Sequence, residues 1–196
     1  MPNRYEIRLA GSGGQGLILA GVILAEAAGL YDGKFVCQTQ SYGPAARGGA
    51  SMAEVVISDA EIDYPKALHP DVLLAMNQQS LEAYMVDLQP GGLLLVDATL
   101  VREIPDHHRV FAIPFTEIAR RQVGKVITAN IVALGALAAL TGAVTMESLK
   151  TAVLARVPPG TAELNKKALA AGTEAAAPLL RQEPQAPGAN AGEDLG

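Results

Sequence analysis

Six residues, Gly11-Ser12-Gly13-Gly14-Gln15-Gly16, constrain the fold more than any other stretch of this chain. They follow a run in which Tyr5, Ile7 and Leu9 alternate with Glu6 and Arg8, the period of a strand. They open an apolar, helix-forming run from Leu17 to Ala28. Strand, glycine turn and helix, in that order, make a backbone cradle for an anion. Glycines let the chain turn tightly and approach a ligand with no Cβ in the way. The first helical turn then presents unpaired N–H groups at the positive end of the helix dipole. The pattern points to a ligand that carries phosphate and leaves its identity open.

The rest of the chain supplies the setting. Gly29 falls where the first helix would be capped. A second strand, Lys34 to Gln38, leads into a second glycine-rich loop, Ser41-Tyr42-Gly43-Pro44-Ala45-Ala46-Arg47-Gly48-Gly49. Further strands are predicted at Met52–Ile57, Val72–Met76, Leu93–Val96 and Val110–Ile113, with a helix from Gln79 to Asp87. From Phe115 onward the pattern is helical, near 116–123, 129–141, 146–156 and 162–177. Alternation of strands and helices predicts an α/β, Rossmann-like fold: a mostly parallel sheet, helices on both faces, and a helical C-terminal part. Residues 1–181 are expected to form a single domain. Residues 182–196, rich in Pro, Gly, Ala and acidic side chains, are expected to be a disordered tail. Ligands of such sheets sit beyond the strand C-termini, where the strand order reverses. Both glycine loops fall at strand C-terminal ends, so one crevice can hold both.

Composition excludes several function classes. Apolar residues make up 49% and charged residues 18%, less charge than is usual for a soluble domain, as expected of a surface covered by partner chains or of an alanine-rich core. A net charge of -5, 4% aromatics and no Trp argue against nucleic-acid binding. The lone Cys37 cannot form an intrachain disulfide or hold a cluster or structural zinc, and reads as a buried structural thiol. The longest apolar run, Ile131 to Leu140, falls far short of the ~20 residues that span a bilayer. With no signal-peptide pattern at the N-terminus, a cytoplasmic protein without a membrane partner is expected.

Gly11, Gly13 and Gly16 match the dinucleotide fingerprint G-x-G-x-x-G. That fingerprint needs a ribose-binding carboxylate about 20 positions later, at the end of the second strand. Here the strand ends Cys37-Gln38-Thr39-Gln40, with neither a carboxylate nor a base, and Asp32 precedes it. In the second loop Arg47 is the only charge, and a guanidinium among glycines suits bidentate contact with phosphate or carboxylate. A solvated surface turn is the alternative. His107-His108 beside Asp106 has no third ligand at metal-binding spacing and reads as a surface loop. Asp97 ends the buried strand, a position open sheets use for function, and reads either as such a residue or, with Thr99, as a turn or helix cap. Asn130 reads either as a cap of the apolar helix after it or as a ligand contact, and Lys125 either as a phosphate contact or as a solvated lysine.

Taken together, the two loops, with Asn130 and the Leu134-Gly135-Ala136-Leu137 run, resemble the gamma subunit of the 2-oxoacid:ferredoxin oxidoreductases. The resemblance covers roughly residues 5 to 180. It implies an enzyme that decarboxylates a 2-oxoacid (pyruvate, 2-oxoglutarate or ketoisovalerate among the candidates) on thiamine diphosphate. Two electrons pass through [4Fe–4S] clusters to ferredoxin, and the acyl group goes to coenzyme A. It implies that the gamma chain binds coenzyme A and closes the active site. Thiamine diphosphate, Mg and the clusters would lie in alpha and beta subunits, with a ferredoxin-like delta subunit in a fuller complex, and the isolated chain would be inactive. The implied contact residues are Gly11, Ser12, Gly13, Gly14, Gln15, Gly16, Ser41, Tyr42, Gly43, Arg47, Gly48, Gly49 and Asn130, none of them catalytic or metal-binding. Coenzyme A needs a glycine loop and an Arg, and no ribose carboxylate. Relatives often carry Ser-Tyr-Gly-Pro-Glu-x-Arg-Gly-Gly; Ala45 stands in place of that Glu, which puts the partners of Arg47 in question. The chain has no cysteine cluster and no Gly-Asp-Gly followed by Asn for a thiamine diphosphate metal. Two other readings stand beside this one: a stand-alone NAD(P)-binding oxidoreductase and a non-catalytic assembly subunit.

Overall fold

The alternating run at the N-terminus forms strand β1, Arg4–Ser12, at the centre of a six-stranded sheet ordered β2-β3-β1-β4-β5-β6 in the computed structural model, which describes residues 4–42, 50–107 and 109–181. On one side β1 pairs in parallel with β4 (Val72–Ala75), β4 with β5 (Leu93–Asp97) and β5 with β6 (Val110–Ile113). On the other side it pairs along its whole length with β3 (Ala50–Ser58), which runs antiparallel to it and to the edge strand β2 (Phe35–Tyr42). The sheet is therefore mixed, with β3 alone reversed. The cause is the short connection between β2 and β3, since a parallel return needs a crossover of a dozen or more residues.

Side chains alternate across the sheet. Ile7 and Leu9 join a core with helices α1 (Leu17–Glu26), α3 (Phe115–Ile118), α4 (Ala129–Thr141), α5 (Met146–Arg156) and α6 (Ala162–Ala176). Ala10, Leu73, Leu94 and Val96 pack on the opposite face, against α2 (Gln78–Tyr84). Helix α4 is buried continuously from Ala129 to Ala138, which explains a sequence apolar all round. It lies against α6 at backbone distance: a Cβ on Gly135 would stand 2.2 Å from the Leu169 carbonyl oxygen, and one on Gly172 1.9 Å from that of Val132.

Local features differ from the sequence expectation. Helix α1 ends at Glu26 and continues as a π turn, Ala27–Tyr31, so Gly29 lies inside the turn instead of capping it. Its missing side chain is needed for packing, because a Cβ there would stand 2.5 Å from Val36 Cγ1. Cys37 is half-buried, because its strand is the sheet edge. Arg8, a charged residue of the alternating strand, is buried under α2. It donates to Glu54 Oε1 (2.8 Å) and the Ala67 carbonyl (2.8 Å), pairs with Asp87, and lies 5.4 Å from the Tyr84 ring centroid. Asp32 accepts from Thr145 N (2.8 Å), Thr145 Oγ1 (2.9 Å) and Ser148 Oγ (2.6 Å), docking the start of α5 onto the turn after α1. No helix of the described residues is long and apolar enough to cross a membrane. The segment 182–196 lies outside the described residues.

Candidate functional site

Strand β1 runs to Ser12, so Gly11 and Ser12 are its last residues and the turn proper is Gly13-Gly14. Gln15 N donates to the Ser12 carbonyl at 3.2 Å. Gly14 (φ 91°) and Gly16 (φ 73°) are left-handed, a conformation other residues adopt only at a cost, and Gly16 is the N-cap of α1 with no side chain to cap it. A Cβ on Gly13 or Gly14 would meet nothing within 4 Å. The turn is open, and the first amides of α1 have no intrahelical acceptor.

Behind the turn, polar side chains fix it to the neighbouring strand. Gln15 Oε1 accepts from Ser12 N (2.7 Å), and its Nε2 donates to the Met76 carbonyl (3.1 Å). Asn77 Nδ2 donates to Ser12 Oγ (2.5 Å) and Gln15 Oε1 (3.3 Å), while its Oδ1 caps α2 through Ser80 N (2.8 Å). Gln15, singled out from sequence as a ligand group, thus has both ends of its amide engaged in joining β1 to β4. That junction is where the strand order reverses, and it opens a crevice.

Asn130 stands one residue inside α4, whose N-cap is Thr128, so it is no cap. Its Nδ2 donates to the Gly16 carbonyl (3.0 Å) and its Oδ1 accepts from Ile131 N (2.9 Å). The N-termini of α1 and α4 therefore converge. Between them lies a cavity of about 350 Å³ lined by Gly14, Gln15, Met76, Leu100, Thr116, Val126, Ile127 and Ala129. Val126 and Ile127 form an exposed apolar lip, beside exposed Lys125. Asp97 is a turn residue bonded to Thr116 of the cavity wall: its buried carboxylate accepts from Thr99 N (3.0 Å) and from Thr116 N and Oγ1. His107 Nε2 shares a hydrogen bond with the Gly92 carbonyl (2.7 Å), bracing a surface loop. Larger hollows at α2 and between α5 and α6 lie away from the glycine turn.

The second loop arrives at the same end of the sheet. Gly11 stands opposite Ser51 and Ser12 opposite Ala50, while Ser51 also faces Tyr42 at the end of β2. Ser41 and Tyr42 are strand residues rather than loop, and Ser41 is exposed. Gly43, Ala45, Arg47, Gly48 and Gly49 lie outside the described residues. The structure thus brings the flanks of the two loops together. Asn77, Met76, Thr116 and the Val126–Ile127 lip were not singled out from sequence. Only Asn77 carried a local signal, an N-cap residue between a strand and a helix. Among the described residues no group of three or more His, Cys, Asp or Glu could hold a metal ion.

Comparison with known proteins agrees with this architecture. The family model described as pyruvate ferredoxin/flavodoxin oxidoreductase matches residues 6–175. The 2-oxoglutarate synthase subunit KorC of Methanothermobacter thermautotrophicus is 54% identical over 178 residues, 87% of this chain and 94% of that protein. The crystal structure of a keto/oxoacid ferredoxin oxidoreductase gamma subunit from Geobacter sulfurreducens superposes with a TM-score of 0.82 at 52% identity, over 89% of this chain and 97% of that one. The 2-oxoglutarate:ferredoxin oxidoreductase of Magnetococcus marinus, solved with 2-oxoglutarate, coenzyme A and succinyl-CoA bound, gives a TM-score of 0.81 at 26% identity, over 94% of this chain and 33% of that one.

Proposed function

Because the chain belongs to the pyruvate ferredoxin/flavodoxin oxidoreductase family, as a gamma subunit of a 2-oxoacid:ferredoxin oxidoreductase, we propose that it binds coenzyme A at the Gly13–Leu17 turn and presents it to a reaction centre on sister subunits. One observation carries this reading: an open, uncapped helix N-terminus lies at the strand-order reversal, beside an apolar cavity. The amides of the first turn of α1 receive a phosphate, and the helix dipole adds to their pull. Arg47, in the loop between β2 and β3, neutralises a second phosphate. Met76, Leu100, Val126 and Ile127 give the uncharged arm of the ligand an apolar wall that excludes water.

The substrate is 2-oxoglutarate, supported by the 54% identity with a 2-oxoglutarate synthase subunit. In the whole reaction the C1–C2 bond of the 2-oxoacid breaks and carbon dioxide leaves. Two electrons pass to two ferredoxins, the acyl carbon bonds to the coenzyme A sulfur, and the thiol proton is released. The chain has one cysteine, and among the described residues no group of three or more acidic, His or Cys side chains could hold a metal ion, which supports placing thiamine diphosphate, Mg and [4Fe–4S] clusters on other subunits. They belong to alpha and beta subunits, with a ferredoxin-like delta subunit where one is present, and the assembly works in the cytoplasm. This chain contributes orientation, charge neutralisation and closure.

Gly13→Asp tests the assignment. The new carboxylate enters open space at a position without positive φ, so the fold tolerates it, yet it repels a phosphate. In the assembled oxidoreductase the KM for coenzyme A rises at least about tenfold while the KM for 2-oxoglutarate holds. An unchanged KM for coenzyme A overturns the reading.

A further inference from the structure

We propose that Asn130 is a positioning residue for the phosphate site, fixing the peptide between Gly16 and Leu17 so that the Leu17 amide points out of the α1 N-terminus. The inference rests on the coenzyme A reading and adds to it the residue that sets the geometry. Two donors hold the Gly16 carbonyl: Asn130 Nδ2 at 3.0 Å and Ala20 N at 3.0 Å. A trans peptide is planar, so fixing its oxygen fixes the opposite direction for the Leu17 N–H. The loop supplies no substitute, because the N-cap is glycine and has no side chain.

Asn130 does this from behind the site. It is 4% exposed, so it acts through Gly16 and not on a ligand in the open crevice. Its Oδ1 takes Ile131 N at 2.9 Å, so one short planar amide satisfies an orphan donor of α4 and holds the entrance of α1. Asp would offer no donor, and Ser is too short to reach Gly16. The fit is mutual: a Cβ on residue 16 would stand 2.6 Å from Asn130 Nδ2. The contact joins residues 114 apart in the chain, so the second half of the molecule sets the geometry of the first loop.

The test uses Asn130→Ser, which keeps an acceptor near Ile131 N, with Asn130→Ala as the second variant. In the full-length chain without ligand, hydrogen exchange at the two hydrogen-bonded amides of the turn, Gln15 N and Ala20 N, quickens about tenfold, and exchange in β4 and β5 is unchanged. In the assembled enzyme the KM for coenzyme A rises about tenfold while the KM for 2-oxoglutarate holds. Unchanged exchange at the turn in both variants overturns the positioning role, whatever the kinetics. Faster exchange with an unchanged KM for coenzyme A also overturns it. Gly13→Asp then separates the two failures: if it raises that KM the coenzyme A reading stands and only the role of Asn130 falls, and if it does not, both fall.

Discussion

Ser51 stands opposite Gly11 in the β1–β3 ladder and donates its hydroxyl to the Gly11 carbonyl at 3.2 Å. The contact ties the first residues of the strand that follows the second glycine loop to the last residues of the strand that precedes the first. A ligand held at Gly13–Leu17 therefore lies next to the point where the Arg47 loop leaves and rejoins the sheet. The reversed direction of β3 makes this possible, because it brings both ends of one connection to the crevice.

Gly16 and Gly13 differ in what a methyl group would do. Gly16 sits at φ 73°, and a Cβ there would displace Asn130. Gly16→Ala is expected to lower stability by about 1–2 kcal/mol from the left-handed backbone alone, with more from the lost Asn130 contact. Gly13→Ala should stay within about 0.5 kcal/mol of wild type. Urea unfolding of the full chain measures both, and equal losses would show that the turn is not built as described.

Arg8 and Glu54 are both about 95% buried and joined at 2.8 Å, so removing Arg8 alone strands the Glu54 charge. Arg8→Met is expected to cost about 3–5 kcal/mol, because among the described residues Glu54 keeps only Thr39 Oγ1 (3.1 Å) as a donor from a side chain. Asp87 reaches solvent and matters less. Arg8→Met with Glu54→Gln should recover at least half of that loss. A double-mutant cycle in urea decides it; additive losses would mean the pair is not coupled.

Burial pushes the Asp32 carboxyl up, but hydrogen bonds from Ser148 Oγ and from Thr145 N and Oγ1 outweigh it and hold its pKa below the usual value. A depressed folded pKa contributes stability that is complete above the unfolded value, about 3.9, and is lost as pH falls through the folded one. Asp32→Asn should therefore be less stable than wild type at pH 7, with the gap closing as pH drops below about 4. Unfolding midpoints measured from pH 7 to pH 2 check the sign. A gap that widens in acid would contradict it.

What could be read from sequence was what is local. The glycine turn, the helix it opens and the buried strand at Leu93 depend on neighbours within a few residues. The end of β1 was missed because Ala10-Gly11-Ser12 is strand only through its pairing with Ala50–Met52. The second strand was read only to Gln38, and Ser41-Tyr42 as loop, because the polar end of β2 gains its strand geometry from β3 at an open edge. No local pattern fixes the direction of β3. Asn130 read either as a helix cap or as a ligand contact, because its acceptor, the Gly16 carbonyl, is 114 residues away. The bond from Gln15 to the Met76 carbonyl, just beyond β4, was hidden for the same reason.

The same reversal bears on the choice between coenzyme A, as proposed, and a dinucleotide. In a dinucleotide-binding sheet the strand beside the first runs parallel to it and ends in the carboxylate that holds the ribose. Here β3 occupies that place, runs the other way and begins with Ala50-Ser51, while Glu54 is held by Arg8 beneath α2. A glycine turn can hold a phosphate of either ligand, but no ribose diol finds an acid beside it. Fluorescence titration of the full chain with NADH is therefore expected to show no saturable binding up to millimolar concentration, whereas coenzyme A protects residues 13–17 from hydrogen exchange in the assembled enzyme. Saturable NADH binding displaced by coenzyme A would mean that the turn recognises phosphate without regard to the ribose. Saturable NADH binding that coenzyme A leaves untouched would return the chain to the dinucleotide-dependent oxidoreductases.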